Sequence, residues 1–83
     1  MKIAVWDTYV NRNDKGGKMH FDILVPEDLH DAGQIKKFGL QYLNDKGIAT
    51  DGISIDKCSF CHVEQVPEEM AKEIEQHGFM IVE

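Results

Sequence analysis

The sequence predicts a single α+β domain, a two-layer α/β sandwich with element order β-β-α-β-α-β. Three observations carry this reading. Two alternating apolar segments near the N-terminus are separated by a polar loop containing Gly16 and Gly17. Two stretches with apolar residues at helical spacing follow, each with its own start and stop signals. A strand-like run comes after each of those helices. The 83 residues suffice for one domain spanning 1–83, and no repeat, low-complexity tract or linker divides them.

Residues 2–10 read as the first strand. Ile3, Val5 and Tyr9 alternate with Ala4, Trp6 and Thr8, and both sets are largely apolar, as in a strand interior to a sheet. Residues 11–17 form the loop, and residues 18–25 the second strand. Met19, Phe21, Ile23 and Val25 lie on one of its faces, Lys18, His20 and Asp22 on the other. Pro26 ends this strand because it has no N–H to give to a ladder.

Asp31 then caps a helix, and Gln34, three residues on, completes a capping-box spacing. Ile35, Phe38, Tyr42 and Leu43 form its buried stripe, and Gly39 within that stripe implies close approach to the sheet. Residues 44–47 stop the helix, with Gly47 suited to a left-handed position. Residues 48–57 carry the weakest signal: a turn at Asp51-Gly52, and Ile53 and Ile55 placed to tuck under the domain. Residues 60–66 have strand composition. Pro67-Glu68-Glu69 opens the second helix, whose buried side is Met70, Ala71 and Ile74, and His77-Gly78 closes it. Residues 79–82 make a last short strand. Right-handed crossovers then give a mixed four-stranded sheet with two helices mainly on one face.

Charge and length narrow the function. A net charge of −6, with nine scattered basic residues, argues against a nucleic-acid surface, which needs clustered cations to displace counterions. No apolar run approaches the ~20 residues that cross a bilayer, so membrane binding is not expected. Residues 1–7 are too short and too interrupted by Asp7 to be an export signal, which implies the cytoplasm and reduced thiols.

The chemically active stretch is Cys58-Ser59-Phe60-Cys61-His62. Cys-x-x-Cys-His is the attachment pattern of c-type haem, but without export, and with strand-like residues following, covalent haem is disfavoured. Dithiol redox chemistry needs a depressed thiol pKa, and no helix N-terminus is evident after the pair. Zinc is the sharper option. Cys58 and Cys61, completed by His20 and Asp22, would supply four ligands, although half of a two-motif zinc signature is missing. His62 fits that set less well, since adjacent strand residues point to opposite faces. The plainer reading makes Cys61 a core residue and His62 part of a polar face.

Pairing Ile3 and Val5 with Phe21, Ile23 and Val25 puts Trp6, Thr8, His20 and Asp22 together on the other face, where with His62 they form a candidate ligand surface. Asp7 breaks the apolar alternation. It reads as a strand-end carboxylate bonded to backbone N–H groups, with a general base or metal ligand as the alternative.

Trp6-Asp7-Thr8-Tyr9-Val10, Met19-His20-Phe21-Asp22 and Cys58-Ser59-Phe60-Cys61-His62, with Gly47 and Gly78 at similar spacings, resemble a family of small bacterial proteins catalogued as domain of unknown function twenty twenty-four. The resemblance covers nearly the whole chain and implies a compact α/β domain; it brings no activity and no catalytic residue. The expected function is a small binding or interaction module without catalysis or cofactor. The alternative is a zinc- or thiol-dependent site, enzymatic or not, centred on Cys58 and Cys61. A sheet face left bare by the helices, with Trp6, Met80 and Val82 on it, implies a homodimer.

Overall fold

In the computed structural model, which describes residues 1–13 and 15–83, β1 (Lys2–Arg12) and β2 (Lys18–Pro26) form the expected hairpin. Asp14 of the expected loop lies outside the described residues. The loop is closed by the Arg12 N–H donating to the Gly17 carbonyl at 2.9 Å. Next come α1 (Ala32–Asp45), a 3₁₀ turn at Thr50–Gly52, β3 (Ile53–Gln65), α2 (Glu68–His77) and β4 (Met80–Val82). Asp31 caps α1 as its sequence position demands, accepting from the N–H groups of Gly33 at 3.0 Å and Gln34 at 3.2 Å. Two carboxylates, Glu68 and Glu69, occupy the first turn of α2, and Gly78 ends it in the left-handed region at φ 88°.

The sheet order is β3-β1-β2-β4, and every pairing is antiparallel. The expected mixed sheet does not form, because β1 lies between β2 and β3, which run in the same direction. The segment at 53–57, expected to tuck under the domain, is instead the first part of a 13-residue edge strand.

The two helices lie on opposite faces rather than mainly on one. α1 packs its Ile35 and Leu43 over Ala4, Trp6, Val10, Phe21, Ile23 and Val25. α2 packs Ala71 and Ile74 over Ile3, Val5 and Leu24, with Val66 sealing the same cluster. This explains why β1 is apolar on both faces. It also buries Trp6 and packs Met80 against the α2 cluster, so the bare patch expected of Trp6, Met80 and Val82 is not formed; only Val82 is exposed. No helix among the described residues is long and apolar enough to cross a membrane.

The hairpin register follows from the two cores. Val5 is opposite Leu24, Trp6 opposite Ile23, Asp7 opposite Asp22, Thr8 opposite Phe21 and Tyr9 opposite His20. This is one residue away from the pairing expected from a one-sided core. Such a slip exchanges the faces of an entire strand.

Candidate functional site

The face that α2 covers changes character halfway along the central strands. Near α2 it is Ile3, Val5 and Leu24. Further along, β1 contributes Asp7 and Tyr9, and β2 contributes Asp22 and His20. Asp7 and Asp22 are directly opposite each other on the two central strands, a like-charge pairing that destabilises a sheet unless something neutralises it. His20 sits over both: its Nε2 is 3.6 Å from Asp7 Oδ1 and 3.5 Å from Asp22 Oδ1. Tyr9 lies against the His20 ring at a centroid distance of 4.6 Å, which fixes the ring over the carboxylates. Lys57 Nζ lies 5.9 Å from the Tyr9 ring on the other side.

The electrostatics of the pair are asymmetric. A hydrogen bond to Asp22 holds the Asp7 carboxyl below its ordinary value. Burial, then the hydrogen bond and negative charge of Asp7, push Asp22 up. Of the two, Asp22 is the carboxyl that takes up a proton first as the pH falls. Asp22 Oδ1 is nonetheless buried without a hydrogen bond of good geometry. One ligating atom each from Asp7, His20 and Asp22 lie within 4.8 Å of one another.

β3 brings the cysteine stretch alongside. Its ladder with β1 skips a residue twice: Val5 pairs with His62 and Trp6 with Phe60, leaving Cys61 in a bulge, and Asp56 is skipped between Lys57 and Ile55. The bulge determines where each motif residue goes. Cys58, opposite Thr8, faces the α1 side, where Thr8 Oγ1 lies 3.6 Å from its sulfur. Cys61 faces the other side, exposed rather than in the core as the plainer reading placed it, and within hydrogen-bonding reach of Asp7; partial desolvation and then the Asp7 charge push its thiol up. His62 stands on that same side, 3.5 Å from Glu64 Oε1.

The expected set of Cys58, Cys61, His20 and Asp22 is therefore split by the sheet. His20 and Asp22 come together with Asp7, Cys61 lies on the same side beside Asp7, and Cys58 does not join them. The expected ligand face is split as well: His20, Asp22 and His62 share one side, whereas Trp6 and Thr8 are buried on the other. Asp7 is not at a strand end and is the missing member of the cluster. Its signal was a charge inside an apolar alternation. The bulge that turns Cys61 and His62 to one side leaves no pattern in the residue types.

The fold and this cluster define a small α+β domain with a polar constellation on the open half of a sheet otherwise covered on both faces. The chain belongs to the family described as Domain of unknown function (DUF2024), which it matches over residues 1–83. Among solved structures it is similar to the NMR structure of protein NE1680 from Nitrosomonas europaea, a structural genomics target. The two share 36% identity over 99% of this chain and 93% of that one, with a TM-score of 0.80. No curated protein matches the chain. The family description assigns no function.

Proposed function

We propose that this protein is a small cytoplasmic binding module whose ligand is a divalent transition-metal ion, zinc above all, held by Asp7, His20 and Asp22. One observation carries the reading: the ligating nitrogen of His20 stands 3.5 and 3.6 Å from the two carboxylate oxygens. Zinc bonds of about 2.0–2.1 Å at tetrahedral angles separate neighbouring ligand atoms by about 3.3–3.4 Å. The spacing is therefore a few tenths of an ångström from a metal-bound one. Opposed carboxylates also require a positive charge or a shared proton, and a metal ion supplies the first. Cys61 stands next to Asp7 as the candidate fourth ligand, replacing the Cys58–Cys61 pair.

For Cys61 we propose a role in binding rather than nucleophilic catalysis. An activated thiol needs a lowered pKa, and burial and Asp7 move Cys61 the other way. The test is native mass spectrometry and calorimetric titration with zinc on protein purified without chelator or metal-binding tag. One zinc per chain is expected in wild type and in Cys58→Ser, with loss in Asp22→Asn. Absence of stoichiometric zinc in the micromolar range refutes the reading.

A second copy of the chain is the partner we propose for the outer edge of β3. That strand pairs on one side only among the described strands, and it exposes Phe60 by 53% and Val63 by 44%. Sedimentation should give a dimer that Val63→Lys dissociates; a wild-type monomer well above micromolar concentration removes the idea.

A further inference from the structure

Beside the acidic cluster, between the sheet, α2 and β4, lies an open cleft of about 210 Å3. Val5 and Leu24 form its floor, with Met70 of α2 and Val82 of β4 as its apolar walls. Three ionisable side chains also line it, the carboxylates of Asp22 and Glu64 and the ring of His62. The volume is below the roughly 300–1,000 Å3 of sites for drug-sized ligands, so only a short chain fits.

We propose that this cleft binds a small primary ammonium ion carried on a short apolar chain. The chain lies on Val5, Leu24, Met70 and Val82, and the ammonium is received by Asp22 and Glu64. Charge selects this occupant. Two of the three ionisable groups are acidic, and the whole chain carries −6. An anionic head group would meet like charges at both carboxylates. Glu64 is about half exposed, and its contact with His62 is long at 3.5 Å, so its carboxylate can take up an ammonium. The apolar floor gives affinity that grows with chain length. The proposal does not require the metal, but Asp22 belongs to both sites. Zinc on Asp22 shares that carboxylate's charge and weakens the amine.

The test is a methyl-detected NMR titration of the full chain after chelator treatment, with ethylammonium, butylammonium, hexylammonium and butyrate as probes. Butylammonium should shift the Met70 and Val82 methyl resonances. Affinity should rise about two- to fourfold per added methylene until the cleft is full. Butyrate should bind at least tenfold more weakly, and Glu64→Gln should weaken butylammonium several-fold while leaving the rest of the spectrum unchanged. Equal binding of butyrate and butylammonium, shifts confined to other residues, or no shifts in the tens of millimolar each overturn the proposal. A protein that takes butylammonium here but never zinc loses the metal reading and keeps this one. One that takes zinc but not butylammonium does the reverse.

Discussion

Gly39 tests how closely α1 approaches the sheet. A Cβ placed there would sit 3.2 Å from Ile23 Cδ1 and 3.6 Å from two atoms of the Phe21 ring. The first distance is a few tenths of an ångström short of comfortable carbon contact, and Cδ1 is the movable end of its side chain. Gly39→Ala therefore sets a helix-propensity gain of about 1 kcal/mol against a small displacement of Ile23, and the net change should stay within about 1 kcal/mol. Gly39→Leu has nearly the same propensity gain but drives three more carbons towards Phe21 and Ile23, both fully buried. Overpacking of this kind costs about 1–3 kcal/mol. The difference between the two variants isolates that cost, because the propensity gain nearly cancels. For a domain this size it separates their thermal midpoints by roughly 4–20 °C. Urea denaturation of wild type and both variants measures it. Coincident midpoints for Ala and Leu refute the close packing of α1 on Phe21 and Ile23.

Zinc at a hundredfold excess over its dissociation constant should add about 2.7 kcal/mol of stability, or roughly 10–20 °C in a thermal melt; Asp22→Asn should abolish the increment and Cys58→Ser should not. The carboxylate pair sets opposing pH dependences. Asp22, raised from 3.8, contributes stability that is full below its unfolded value and lost as pH rises through its folded one; Asp7, lowered from 3.8, contributes stability that is lost as pH falls through its folded value. Asn at position 22 keeps a donor for Asp7 but cannot ionise, so metal-free Asp22→Asn should gain on wild type as pH climbs from the acid range to neutrality; a pH-independent difference in urea midpoints contradicts this. Cys61 should alkylate with iodoacetamide more slowly at neutral pH than an ordinary exposed thiol, and Asp7→Asn should speed it, because removing that charge lowers the thiol pKa. An Asp7→Asn rate unchanged by mass spectrometry places Cys61 away from Asp7. Gly78→Ala should cost about 1–2 kcal/mol, since an L residue is strained at φ 88°; an unchanged melt would mean that α2 ends differently.

The element order was legible because its signals are local. Asp31 caps α1, Pro67 precedes α2 and Gly78 ends it in the structure as in the sequence. Register was not legible, because β1 has two apolar faces and either one pairs plausibly with β2. Ile3 and Val5 look like natural partners for Ile23 and Val25 only if one core exists. With α1 and α2 on opposite sides, Ile3 and Val5 belong with Leu24, and Ala4 and Trp6 with Ile23 and Val25. Half of the site survived that slip, since His20 and Asp22 remain together on β2. Trp6 and Thr8 were exchanged for Asp7, the residue whose charge had already broken the apolar pattern. The fate of the cysteines turned on the Cys61 bulge, a long-range feature of how β3 lies against β1.

β4 has three residues and, among the described residues, pairs only with β2, through Asp22–Val82, Ile23–Ile81 and Leu24–Met80. So short a strand is held by few backbone bonds, and its side chains are at most partly buried. Local opening of β4 should therefore occur at a much lower free energy than global unfolding, and its amides should exchange with solvent long before those of β1. Val82 walls the cleft beside Asp22, so each such opening widens the entrance from the β4 side. For the ammonium proposed above, fraying at one end of the sheet would then govern admission, while Asp22 stays fixed on central strand β2.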